Sequence, residues 1–170
     1  MADYINHVVQ VYKRESGTHV KTIGTAGTFG NKDGQFDSPR GVCCTADGLL
    51  YVADWGNHCV QVFRQDTHAY VRQFGSKGTG DGQFQYPFGV CLGSDGLVYV
   101  TDGNNHRVQV FRHDNGLFVA KLGGGAGQGA GVGQLNSPRG VCCSQGGVLY
   151  VAEALTSRIH AFPVIQRPRE

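Results

Sequence analysis

The sequence predicts an all-β fold, an array of four-stranded antiparallel units strung at a fixed interval, and three observations carry that prediction. The stretch VADWGNHCVQVF, starting at Val52, is written again almost unchanged as VTDGNNHRVQVF from Val100, 48 positions on. Independent landmarks keep the same step: Pro39, Pro87 and Pro138 stand 48 and 51 apart, as do Asp54, Asp102 and Glu153, with Asp3 a further 51 before Asp54. Between the landmarks lie short runs of β-branched and aromatic residues, broken by Gly, Asn, Asp and Ser, and no run keeps a 3.6-residue period over a helical length. A catalytic motif is needed once. A copied motif marks a unit that buries its faces only by stacking on neighbours.

Each unit reads as four strands. The first follows the repeat proline, over 41–45, 89–93 and 140–144. The second is GLLYVAD, GLVYVTD and GVLYVAE, with period-2 alternation entering at Leu49, Leu97 and Val148. The third is CVQVF, RVQVF and RIHAF, with VVQVY at 8–12 in the first, incomplete unit. The fourth is HVKTIG, YVRQFG and FVAKLG. The chain opens inside a second strand, at ADYINH, and its last strand is a third one, so the units supply thirteen strands in all. The divisions fall at 1–35 (a partial unit), 36–83, 84–134 and 135–164 (incomplete), with a tail at 165–170.

Four strands every 48 to 51 residues is the pattern of a β-propeller blade. The stretch SPRGVCCTADGLLYVADWGNHCVQVF resembles an NHL repeat, whose signature runs Pro-x-Gly-Val, then Tyr-Val-Ala-Asp, then Asn-His-Arg-Val-Gln-Val-Phe. The resemblance covers two full units, 36–75 and 84–123, with partial units at both ends, and is similar to the NHL domains of tripartite-motif proteins. It implies a β-propeller of four-stranded NHL blades, three to four of them in this chain. NHL propellers are usually closed six-bladed rings, so about 24 strands would complete one. Three arrangements remain open: part of a longer protein, two copies completing one ring, or a four-bladed monomer. In the last two, the segment 19–24 supplies the missing outer strand by pairing with 157–162.

The repeated polar residues read as turn chemistry. Asp54 and Asn57, like Asp102 and Asn105, flank the connection between second and third strands, where Asp and Asn bond nearby backbone N–H groups and Asn tolerates a positive φ. Gly56 and Gly103 offer further freedom there, and Arg107 is placed to pair with Asp102 across the hairpin. Tyr51, Tyr99 and Tyr150 are expected between blades as packing. The glycine-rich connections before each proline lack the following helix that a phosphate cradle needs. They are expected to surface together on one face.

Composition bounds the function. A net charge of +2 on 170 residues does not by itself call for nucleic acid. The six cysteines form no C-x-x-C pair, and neighbours in the two CC pairs point to opposite faces of a strand. They are expected as reduced, small apolar side chains, which favours a cytoplasmic address. No cofactor, metal or membrane span is expected. His7, His58 and His106 share one repeat position, but equivalent sites on diverging blades lie too far apart for one metal.

The expected role is a non-catalytic scaffold binding a protein partner through its loop face. The expected ligand-binding residues are Arg40, Trp55, His58, Tyr86, Phe88, Asn104, His106 and Arg139, since Trp, Tyr and Arg anchor interfaces. The resemblance also implies two alternatives. Some tripartite-motif NHL domains take RNA on that face, and the lyase that releases amidated peptides resembles this repeat, as some lactonases are propellers. A homodimer completing the ring is the further partner expectation.

Overall fold

The computed structural model describes residues 1–124, 129, 131 and 133–164; the tail at 165–170 and part of the last glycine-rich connection lie outside the described residues. Four antiparallel sheets follow one another along the chain. The first holds β1 (Ala2–Asp3), β2 (Val8–Tyr12) and β3 (His19–Ile23). The second holds β4 (Pro39–Cys44), β5 (Leu49–Asp54), β6 (Cys59–Arg64) and β7 (Tyr70–Phe74). The third holds β8 (Pro87–Leu92), β9 (Leu97–Asp102), β10 (Arg107–Arg112) and β11 (Phe118–Gly123). The fourth holds β12 (Pro138–Cys143), β13 (Val148–Glu153) and β14 (Ile159–Pro163). Within each sheet, strands pair in chain order, as a propeller blade requires. The described strands are one more than the sequence count, because Ala2–Asp3 forms a remnant second strand opposite Val8 and Val9.

The inner strands begin at the proline itself, two residues before the alternation becomes visible. Pro39 sits opposite Asp54, and the register then breaks before Val42; Pro87 and Pro138 repeat the pattern. Proline has no N–H to give a ladder, so the first strand residue is where it fits. The broken register brings inner strands together. A Cβ on Gly41 would lie 2.5 Å from the Phe88 carbonyl oxygen, and one on Gly89 would lie 2.4 Å from that of Arg139. Glycine at both positions is therefore a close-approach requirement, and β4 packs on β8 as β8 packs on β12.

The core lies between sheets. One cluster joins Tyr51, Ala53, Val60 and Val62 of the second sheet to Val90, Val98, Val100 and Phe111 of the third. A second joins Leu97, Tyr99, Val108 and Val110 to Leu149 and Val151 of the fourth, and a third joins Val9 and Ile23 of the first sheet to Leu50, Val52 and Phe63. The period-2 alternation thus serves two cores, one on each face of every interior blade. The glycine-rich connections add a plug to each: Phe36, Phe84 and Leu135, at equivalent repeat positions, are fully buried. Burial of such a side chain stabilises by about 2–3 kcal/mol.

The own-chain pairing of 19–24 with 157–162 is not formed. β3 pairs with β2 through a short turn, in which Thr18 O accepts from Lys13 N–H, and β14 pairs with β13. A hairpin closed over a few residues costs far less loop entropy than a pairing between the two ends of the chain. The last blade accordingly shows an open face, with Tyr150 41% and Ile159 73% exposed, whereas Tyr51 and Val60, their equivalents in the second sheet, are buried.

Candidate functional site

The loop face is built from the turns. Asp54, Asp102 and Glu153 each tie a turn to the glycine-rich connection above it. Asp54 accepts from Asp37 N–H, Asn57 Nδ2 and Gln61 Nε2, each at 2.8 Å. Asp102 accepts from Gln85 N–H at 2.7 Å, Asn105 Nδ2 and Arg107 Nε at 2.8 Å, and Gln109 Nε2 at 3.3 Å. Asn57 and Asn105 donate in turn to Gly30 O and Gly78 O. The expected Asp102–Arg107 pair is therefore present and buried, with Arg107 also donating to Gly80 O and Gln83 O.

Two details differ from the sequence reading. The left-handed residue of each turn is the histidine, at φ 57° for His7, 55° for His58 and 53° for His106, while neither Asn nor the turn glycine has a positive φ. Gly56 instead leaves room for the Asp37 side chain: a Cβ there would meet its carboxyl carbon at 2.2 Å, so the carboxyl would have to move. Gly103 opens a short 3-10 turn, Gly103–Asn105.

Where Arg107 faces Asp102, the second sheet has Cys59. Burial pushes the Asp54 carboxyl up to about 6 with no cation to oppose it. Burial also raises Asp102, against the pull of Arg107 and its other donors.

The histidines fasten successive blades. His7 Nδ1 accepts from Ser38 N–H at 3.0 Å, His58 Nδ1 from Tyr86 N–H at 3.1 Å, and His106 Nδ1 from Ser137 N–H at 3.1 Å. Each donor residue precedes the next blade's proline and is itself left-handed, at φ 55°, 61° and 48°. Left-handed non-glycine residues are costly and persist where their surroundings fix them. Each of the three imidazoles thus serves one blade junction through its Nδ1. Burial, then Lys77, lowers the His58 pKa and keeps its ring neutral as the acceptor.

Six of the eight expected ligand-binding residues converge. Arg40, Trp55, Tyr86, Phe88, Asn104 and Arg139 line one cavity of about 150 Å³, with Gly103 and Ser137. It lies where β4, β8 and β12 begin, and so draws on three blades. His58 and His106 do not line it; His58 supports it from behind, its ring 4.5 Å from that of Tyr86. Trp55 stacks on Tyr86 at 4.2 Å between centroids. The Arg40 guanidinium lies 3.9 Å from the Tyr4 ring centroid, 5.4 Å from Phe88 and 5.6 Å from Trp55, and the Arg139 guanidinium lies 5.2 Å from Phe88. Sequence reasoning missed Tyr4, although the repeat register aligns it with Trp55. It also missed the Phe36, Phe84 and Leu135 plugs, although GQF, GQF and GQL keep the repeat step.

Among the described residues, no group of three His, Cys, Asp or Glu side chains is placed to hold a metal ion, and no helix is long and apolar enough to cross a membrane. The cysteines alternate as expected, with Cys43 packed toward the third sheet and Cys44 lining a cavity with residues of the first. One approach crosses a blade junction: Cys91 Sγ lies 3.3 Å from Cys143 Sγ.

This architecture, with inter-blade cores and a loop face at the head of the inner strands, defines a β-propeller repeat protein. The family model of the NHL repeat matches residues 36–63 and 84–111, the first three strands and the turn of each complete blade, so these two stretches are NHL repeats. Among curated proteins, RING finger protein nhl-1 of Caenorhabditis elegans is 47% identical over 49 residues, which are 29% of this chain and 5% of that protein. Solved structures similar to this one include a chain of the nidogen/laminin complex, with 18% identity, a TM-score of 0.70, and 96% of this chain covering 54% of that one. The hydrazine synthase of Kuenenia stuttgartiensis is similar at 14% identity and TM-score 0.65, covering 92% of this chain and 40% of that one. The WD40 repeats of RRP9 give 13% identity and TM-score 0.61, covering 93% and 45%. At these identities the likeness is one of fold. The chain spans about half the length of these structures and a small part of the curated relative.

Proposed function

We propose that the chain is a non-catalytic interaction scaffold, whose stacked NHL blades present the loop face to a protein partner. The observation that carries this reading is the convergence of six side chains from three blades on one cavity, with the loops behind them fastened by His58 and His106. Rigid placement of Trp, Tyr and Arg lowers the ordering cost of binding and supplies the residue types that anchor interfaces. The turn carboxylates beside the site, Asp54 and Asp102, have their oxygens engaged by turn and loop donors, which supports a binding role over acid–base chemistry. The free cysteines suit a reducing, cytoplasmic setting. A second copy stacked on the exposed Tyr150 and Ile159 face would extend the ring, and the mass in solution tests that part directly.

Single-stranded RNA on the same face is the second reading, favoured by the arginines and rings that share the cavity. Photo-crosslinking separates the two. A benzophenone side chain at exposed Asn104, with one at Val71 on the outer strand as control, should yield protein adducts at Asn104 alone. Nucleotide adducts at Asn104 would move the assignment to RNA, and equal adducts at both positions would remove the face from consideration.

A further inference from the structure

Among the described residues, the two arginines of the cavity lie against aromatic rings and have no acceptor. Among the described residues neither Arg40 nor Arg139 forms an ion pair, whereas Arg107 has a carboxylate and two carbonyls. Arg40 Nε is buried without a hydrogen-bond partner among the described residues. A buried unpaired donor carries the desolvation cost of its group, and the cost is larger when that group is charged. Both guanidiniums also lie over the same ring, Phe88, at 5.4 Å and 5.2 Å. Two cations lining one small cavity give it a positive potential, and an anion bound there relieves their mutual cost. Stacking on rings leaves the in-plane N–H fork of a guanidinium open, which is the geometry that takes a carboxylate with two parallel hydrogen bonds.

We infer that the cavity binds the side-chain carboxylate of a glutamate or aspartate from an acidic segment of the partner protein, with Arg40 and Arg139 as its two donors. This inference rests on the interaction reading above and specifies it. Size agrees: about 150 Å³ is roughly half the lower end of pockets that enclose whole small molecules, which run from about 300 Å³, and suits one inserted side chain. Ring occupancy argues against a nucleobase. Stacking of a base on one of these rings needs a free aromatic face, and here Trp55 and Tyr86 face each other, Tyr86 is backed by His58, and Phe88 and Tyr4 are covered by arginine.

The chain's single tryptophan, Trp55, lies in the cavity and reports on it. An acetylated, amidated hexapeptide of alternating glutamate and leucine should shift Trp55 emission saturably, more weakly at high salt. Arg139→Gln, at an exposed position, should weaken that binding about tenfold or more, the loss of a charged hydrogen bond. Arg40→Lys keeps the charge but not the fork and should also weaken it, with melting curves recorded to confirm that both variants are folded. The glutamine and lysine counterparts of the peptide should leave the emission unchanged. Equal binding of the glutamine peptide, or unchanged affinity in a folded Arg139→Gln, overturns the carboxylate inference while leaving the interaction reading standing. A shift with a short oligouridylate and none with any peptide overturns both. No shift with any probe at millimolar concentration overturns the carboxylate inference alone, because the crosslinking at Asn104 decides the interaction reading separately.

Discussion

Asp102 and Asp54 occupy the same repeat position with different neighbours, and the difference is testable. Removing the Asp102 carboxylate strands Arg107, only 4% exposed, in the interior. Asp102→Ala should therefore cost about 3 kcal/mol in a denaturation experiment, as breaking a buried pair does. Asp81→Ala removes only half-exposed contacts to Lys121 and Arg107 and should cost less than about 1 kcal/mol. Equal denaturation midpoints for the two variants would sink the turn role of Asp102. Asp54 lacks the cation, and its carboxyl should titrate near 6. With a folded pKa above the unfolded value, the folded state binds more protons between about pH 4 and 6. The Asp54 contribution is thus fully present below pH 4 and lost as pH rises through 6. Cys59→Arg restores the pairing found at Asp102 and should bring the Asp54 titration down; an NMR titration of the carboxyl carbon checks both statements.

At the scale of the strand, the inner-strand glycines separate packed junctions from the open one. A Cβ at Gly89 runs into the Arg139 carbonyl at 2.4 Å, while a Cβ at Gly140 meets only Ala152 at an ordinary 3.5 Å. Gly89→Ala should destabilise by about 1–3 kcal/mol, the usual cost of overpacking, and Gly140→Ala by much less. An equal loss for Gly140→Ala, read from urea midpoints, would mean that another chain already covers β12. The same strands carry five of the six cysteines, and all six should titrate as free thiols in denaturant. Among the described residues, Cys91 and Cys143 are the cysteine pair whose sulfurs approach within 3.3 Å across a junction. Brief treatment with diamide, which takes up the two thiol hydrogens, should link that pair before any other, as peptide mapping by mass spectrometry will show.

The whole molecule is a row of blades whose cores lie at the junctions, so stability runs along the chain from neighbour to neighbour. Residues 1–24 matter through such a junction: Val9 and Ile23 cover Phe36, Leu50, Val52 and Phe63. Deleting them should expose that cluster and lower the melting temperature, with aggregation followed by light scattering. An unchanged melting curve and a soluble, unaltered species would mean that the first sheet contributes nothing to the second.

The sequence by itself determined the blade. Period-2 alternation, the repeat step and the Asp, Asn and Gly punctuation are local, and local chemistry sufficed to place every strand from β2 to β14 within two residues. It also singled out Arg40, Trp55, Tyr86, Phe88, Asn104 and Arg139, because repeat register puts residues after the proline and in the turn at one end of each blade. What it left undecided depends on contacts between blades. That His58 holds Tyr86, 28 positions on, that Phe84 plugs a core with residues of the preceding sheet, and that Cys91 meets Cys143, 52 positions on, all join residues of different units. Nothing in one unit's alternation encodes its neighbour's position. The pairing of β3 with β2 was settled within one blade: the segment suits either partner, and the adjacent hairpin wins because its closure entropy is smaller.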